Sequence, residues 1–259
     1  MRYNPDKVKK RYDEIADEED QQEKRQTLRT EIPREFIKRH IRKNDVVLDA
    51  GGGTGINSIM MAKIARHVTL IDLSPEIVKR AAKNIREARL SDKIDILEGD
   101  ISNLKRFKEG QFSFVVCVGD SISYVLENRH KALKELVRVA KKESIIVIGC
   151  DSKYGFMRQY LAKGNLDEAI SINKTNETYC GMGPRTHVYE IDEMKEMLNK
   201  NGCEVLEIAS TPTITDTVEK KLFYAPEKWA KLKKLEMDIC TKPELLGIGN
   251  HLLFVAKKR

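Results

Sequence analysis

Val46-Val47-Leu48-Asp49-Ala50-Gly51-Gly52-Gly53-Thr54-Gly55 joins an apolar run to a cluster of glycines. Val46 to Asp49 reads as a strand buried on both faces. The glycines let the backbone turn tightly and let a ligand approach the main chain with no Cβ in its way. A helix is expected from about Ile56. Asp72, twenty-one residues after Gly51, closes the next apolar run. That spacing puts a carboxylate at the neighbouring strand end, where it can accept both hydroxyls of a ribose. A dinucleotide fingerprint, G-x-G-x-x-G, would need glycine at position 56 or 58, and these are Ile56 and Ser58. Nicotinamide and flavin cofactors are therefore disfavoured.

Outward from this stretch, short apolar runs alternate with longer amphipathic ones, the rhythm of an α/β fold with a mainly parallel sheet. Candidate strands are 46–49, 68–72, 94–98, 114–118, 145–149, 204–208 and 252–256. Ser74-Pro75-Glu76 predicts a helix start, with a polar N-cap, a proline in the first turn and an acid beside it. Ile77, Val78, Ala81, Ala82, Ile85 and Ala88 then recur at helical spacing. Ala132, Leu133, Leu136, Val137 and Ala140 repeat the pattern, as do Met194, Met197 and Leu198 before an Asn201-Gly202 C-cap.

Two stretches are too long for simple connections. Residues 151–189 carry Gly155, Gly164, Gly181, Gly183 and Pro184 and read as a lid-like insertion over the active site. Residues 211–250 contain a predicted helix with Trp229, Leu232, Leu235 and Ile239 on one face. The expected organisation is one domain over 1–259. Residues 1–40 form a helical cap, 41–150 a cofactor-binding core, 151–189 the insertion and 190–259 the rest of the core.

At 259 residues and 41% hydrophobic, the chain can bury a sizeable core, which rules out disorder as its dominant state. Its apolar runs stop far short of the roughly 20 residues of a membrane span. Five cysteines (117, 150, 180, 203 and 240), with no C-x-x-C pair, suggest free thiols in a reducing compartment. With no apolar leader at the N-terminus, a cytoplasmic enzyme is expected. The formal net charge of +7 fits solvated lysines on helix faces, and no run of five like charges marks a nucleic-acid tail.

Four motifs now stand in order: Leu48 to Gly55, Ile71-Asp72-Leu73-Ser74, Glu98-Gly99-Asp100-Ile101, and Phe114-Val115-Val116-Cys117-Val118-Gly119-Asp120. In type and spacing over roughly residues 40–150 the chain resembles the class I S-adenosylmethionine-dependent methyltransferases, and within them the small-molecule branch. Arg11-Tyr12-Asp13-Glu14-Ile15-Ala16 and the final strand from His251 fit the same family. The resemblance implies a Rossmann-like fold, a seven-stranded sheet flanked by helices, and S-adenosyl-L-methionine as cofactor. It places Gly51, Gly53 and Gly55 under the methionine part, with Asp49 holding either the glycine turn or the amino group. It gives Asp72 the ribose and Asp100 the adenine amino group, with Ile101 and Leu73 against the ring. Gly119 and Asp120 would face the sulfonium and the nucleophile, although Asp120 could equally cap the next helix. Tyr12 lies where relatives close over the cofactor.

The donor is already activated, so the chemistry asks mainly for alignment and exclusion of water. A base is needed only if the acceptor carries a proton in its reactive form. No Ser-His-Asp or Cys-His pattern and no histidine pair at metal spacing is present, so no metal is assigned. Gly119-Asp120-Ser121-Ile122 stands where adenine and cytosine methylases carry an Asn/Asp-Pro-Pro-aromatic tetrad, which points away from nucleic-acid acceptors. The expected partner is a small-molecule substrate, with Asp120, Tyr124, Arg185 and His187 as candidates to meet it. An RNA methyltransferase and a non-catalytic cofactor-binding scaffold are the alternatives.

Overall fold

Strand residues that alternate between two apolar clusters explain the layering, as seen in a computed structural model describing residues 2–180, 183–217 and 225–259. Leu48, Val115 and Cys117 pack on one face of the sheet; Val47, Phe114 and Val116 pack on the other. That period of two, with both faces apolar, is what near-continuous hydrophobic strands produce. Each fully buried side chain of this size contributes about 1.5–3 kcal/mol of burial free energy.

Three helices come first: α1 (Pro5–Glu14), α2 (Ala16–Lys24) and α3 (Leu28–His40). The core follows as β1 (Val46–Ala50), α4 (Ile56–Ala62), β2 (His67–Asp72), α5 (Pro75–Glu87), β3 (Ile94–Glu98), β4 (Phe112–Cys117), α6 (Ser121–Tyr124), α7 (Arg129–Val139) and β5 (Ala140–Asp151). Next are α8 (Lys153–Ala162), α9 (Leu166–Thr175), the hairpin β6 (Glu177–Tyr179) and β7 (Arg185–His187), and α10 (Ile191–Lys200). The chain ends with β8 (Cys203–Thr211), α11 (Pro226–Ile239) and β9 (His251–Lys258).

The main sheet has seven strands in the order β3-β2-β1-β4-β5-β9-β8, parallel except for β9, which runs antiparallel to both neighbours. The chain leaves β1 toward β2 and later returns on its other side as β4. This makes the carboxyl edge between β1 and β4 the topological switch point, where open α/β sheets bind ligands. Helices α7 and α10 cover one face; α3, α4 and α5 cover the other.

Local signals behave as their chemistry requires. Ser74 Oγ accepts from the Ile77 N–H at 3.1 Å and starts α5. Gly202 follows the end of α10 with φ +75°. Within 151–189, α8 and α9 pack through Phe156 and Ile172, together with Val188. Gly155 is not a loose joint: a Cβ there would strike the Gly249 carbonyl, so it marks close packing. Gly181 lies outside the described residues.

One expected helix face is corrected. On α11, Trp229 and Leu232 pack against the core, but Leu235 is 46% exposed and its neighbour Glu236 is fully buried. The Glu236 carboxylate accepts from the Thr213 N–H at 2.9 Å and the Thr215 N–H at 3.0 Å. Satisfying three donors where the chain leaves β8, the Thr213 and Thr215 N–H groups and the Thr213 hydroxyl, turns the helix, because at about 1–3 kcal/mol each they together outweigh the burial of one leucine. No helix among the described residues is long and apolar enough to cross a membrane.

Candidate active site

The glycine turn is fastened to the strand beside it. The Gly51 and Gly52 N–H groups both donate to the Ile71 carbonyl, at 2.8 and 3.2 Å. Gly51 has φ +70°, and a Cβ on it would collide with the Ser121 side chain, so any side chain there is strained. Asp49 accepts from Ser58 Oγ at 2.6 Å, a contact that braces the turn against α4. Burial pushes the Asp49 pKa up to about 6.

Asp72 stands at the end of β2 with one oxygen accepting from the Gly53 N–H at 3.0 Å and the other from the Ser74 N–H at 3.1 Å. Each oxygen keeps a lone pair for a ligand hydroxyl. Burial raises its pKa even though these backbone donors pull the other way. Asp100 follows β3; it accepts from the Ser102 N–H at 2.7 Å and from the Tyr3 hydroxyl at 2.9 Å. Ile101 is buried beside it and Leu73 is half-buried. Gly119, after β4, has φ +79°, and no protein atom lies within 4 Å of where its Cβ would stand. Asp49, Gly51, Gly53, Gly55, Asp72, Leu73, Asp100, Ile101 and Gly119 therefore share one edge of the sheet.

The cap helices close over that edge through residues that sequence reading did not single out. Glu23 of α2 accepts from the Thr54 N–H at 3.0 Å and from Thr54 Oγ1 at 2.9 Å. Arg29 of α3 donates to Asp120 Oδ2 at 2.7 Å. Asp13 accepts from Ser74 Oγ at 2.6 Å, tying α1 to the start of α5. Tyr12 meets Tyr124 edge to face, with ring centroids 5.8 Å apart.

Beyond Gly119 lies a second group of buried polar residues. Asp120 is 2% exposed and has φ +70°, a conformation that costs a non-glycine residue about 1 kcal/mol or more. His251 Nδ1 lies 3.1 Å from Asp120 Oδ1 and 3.2 Å from Asp151 Oδ1. Burial alone would raise the Asp120 carboxyl, but His251 and Arg29 outweigh it and hold it well below the carboxylate range. Asp151, beside that negative charge and fully buried, is pushed up. Burial would lower His251, yet Asp120 and Asp151 reverse the sign and lift it to about 9.

Arg185 and His187 stand apart from this group. Arg185 donates to Glu177 at 2.7 Å across the β6–β7 hairpin, and His187 lies 2.9 Å from Glu193 of α10. Their partners were invisible in sequence because hairpin pairing and the α10 approach set them.

Residues 47–143 match the methyltransferase-domain family. A glycine/sarcosine N-methyltransferase of Parasynechococcus marenigrum is 29% identical over 171 residues, 64% of this chain and 56% of that enzyme. The matched region supports a class I S-adenosylmethionine-dependent methyltransferase. An uncharacterized protein of Methanocaldococcus jannaschii is 26% identical over 97% of this chain and 90% of its own length. A putative methyltransferase of Haloferax volcanii, solved in complex with the Trm112 methyltransferase activator, shares the fold with a TM-score of 0.66 at 18% identity, each chain covered to 96%.

The methyltransferase's cofactor is S-adenosylmethionine, and the residues present fit it. Gly119 is exposed, with open space where a side chain would stand, and Asp72 and Asp100 present carboxylates at the adjoining strand ends. The cap meets the same ground, since Tyr3 holds Asp100 and Glu23 covers Gly53.

Docking of α2 through Glu23 is expected to depend on pH. Burial pushes its pKa from 4.5 up to about 7, against the two Thr54 donors. A docked Glu23 thus holds its proton more tightly than an undocked one. Its contribution to docking is full below about pH 4.5 and is lost as pH rises through about 7. Amide hydrogen exchange in α2, corrected for its intrinsic pH dependence, is expected to speed up across that window. In Glu23→Gln the acceleration should vanish; an unchanged profile would assign it to another group.

Proposed function

We propose that this protein transfers the methyl group of S-adenosylmethionine to a small-molecule acceptor by in-line displacement. The sulfonium supplies a methyl carbon and a good leaving group. The chain's own part is to hold the cofactor, align the acceptor near ~3 Å and exclude water. In this reading Asp72 takes the ribose hydroxyls, Asp100 the adenine amino group, and the backbone at Gly51, Gly53 and Gly55 the methionine part. Gly119 leaves room at the reacting end, and Tyr12, Tyr124 and Asp120 line the acceptor side.

The observation that supports a small acceptor is burial. Asp120 and Tyr124 keep 2% and 7% of their surface and lie beneath the cap helices. The basic stretch Lys228–Lys234 also offers less free charge than its sequence suggests. Lys233 is committed to Glu31 and Glu35, at 2.9 Å each.

A test separates this reading from an RNA methyltransferase. Phosphate contacts make binding fall steeply with salt. Binding to bulk RNA is expected to be weak and nearly flat between low and physiological salt, whereas tight, steeply salt-sensitive binding would overturn the small-molecule reading. A second reading, a macromolecular acceptor reached together with a small activating protein, draws support from the Haloferax neighbour's complex with Trm112. Methylation of a protein or RNA fraction only on adding such a partner would favour it.

A further inference from the structure

We propose that Asp120, Asp151 and His251 form a binding site for a divalent transition-metal cation at the acceptor end of the cleft. The three residues come from separate strand ends. Asp120 follows β4, Asp151 closes β5, and His251 opens β9, whose antiparallel register sets it directly opposite Asp151.

The donor spacing suits a metal. Oxygen and nitrogen ligands about 2.0–2.2 Å from one ion stand roughly 3.0–3.5 Å apart in octahedral or tetrahedral arrangements. His251 Nδ1 lies 3.1 and 3.2 Å from the two Oδ1 atoms, and one ligand atom from each residue lies within 4.8 Å of the others. The second oxygen of each carboxylate is engaged outside the triad. Asp120 Oδ2 accepts from Arg29 at 2.7 Å, and Asp151 Oδ2 accepts from the Thr186 hydroxyl. This is how outer groups fix ligating carboxylates, leaving one oxygen of each turned inward.

Two of the inward atoms, though paired by charge, also lack the hydrogen bonds that burial demands. Asp151 is fully buried, yet its Oδ1 and His251 Nδ1 make no contact with hydrogen-bond geometry despite their short separation. An unsatisfied buried polar atom costs about 1–3 kcal/mol. One cation between them would satisfy both. Two oxygens and one imidazole nitrogen suit Mn2+, Fe2+ or Zn2+ better than the all-oxygen shells of Ca2+ or Mg2+. Phe156, whose ring meets His251 edge to face at 6.5 Å, shields the imidazole.

What such an ion would do rests on the reading above: a further coordination position could hold an acceptor's oxygen or nitrogen beside the methyl group. Whether the ion binds is independent of that reading and is measured without methyl transfer. The full chain, stripped with chelator, is titrated with Mn2+ while the paramagnetic resonance signal of the free ion is followed, and then with Zn2+ in competition. One site per chain is expected, weakened at least tenfold by Asp151→Asn or His251→Gln. Thr186→Val, which keeps all three ligands and the side-chain shape, is expected to weaken it about tenfold through Asp151 alone. Thermal melts with and without Mn2+ show whether each variant folds, and only the intact triad should gain stability from the ion. Binding of neither ion at one per chain, or equal binding by folded triad variants, would overturn the site and leave an imidazolium held between two carboxylates.

Discussion

Replacing Asp72 with alanine is expected to weaken binding of both S-adenosylmethionine and its demethylated product at least tenfold. The carboxylate is proposed to accept from two ribose hydroxyls, and a hydrogen bond to a charged group is worth about 1.5–3 kcal/mol. Tenfold corresponds to about 1.4 kcal/mol, so losing even one such bond reaches it. Alanine also strips the acceptor from the Gly53 and Ser74 N–H groups, which brace the glycine turn and the start of α5. Asp72→Asn separates the two effects. It keeps one carbonyl oxygen for the backbone but loses the charge, so it should fold closer to the parent while still binding cofactor weakly. Titration calorimetry alongside thermal melts measures both; unchanged affinity in a folded Asp72→Ala chain would remove Asp72 from the site.

The second large effect contrasts two glycines with the same backbone sign. Gly51 and Gly119 have φ of +70° and +79°, where a side chain costs about 1–2 kcal/mol. They differ in what surrounds them. A Cβ at Gly51 strikes Ser121, whereas one at Gly119 meets no protein atom within 4 Å. Gly51→Ala should therefore lower the melting temperature more than Gly119→Ala. Gly119→Val should still fold yet bind cofactor at least about tenfold more weakly, because its branches occupy ligand space, an overpacking cost of about 1–3 kcal/mol. Cofactor binding by Gly119→Val equal to the parent would show that the space serves no ligand.

Much of this was legible in the sequence because the signals were local. Apolar runs such as Phe114 to Val118 mark strands covered on both faces, and the interval from Gly51 to Asp72 marks two adjacent strand ends. What stayed hidden depends on distant partners. Arg29 meets Asp120 across 91 residues and Tyr3 meets Asp100 across 97, with no periodicity to announce either pair. Glu23 sits in a short acidic helix that reads as solvent-facing, and only its docking on Thr54 gives it a role. His251 directly precedes the expected strand 252–256, but its place beside Asp151 follows from an antiparallel register that composition does not encode. The rotation of α11 is hidden for a related reason. Trp229, Leu232, Leu235 and Ile239 share a face by spacing, while the buried carboxylate of Glu236 answers to backbone groups more than twenty residues upstream.

The most direct test of the central claim follows a radiolabelled methyl group. The purified chain is incubated with methyl-labelled S-adenosylmethionine and a cellular extract separated by size into metabolites, RNA and protein. Label is expected in the metabolite fraction, dependent on the chain and reduced to background by Asp72→Ala. Label confined to the RNA or protein fraction, or no transfer from a chain that binds the cofactor, would contradict the account.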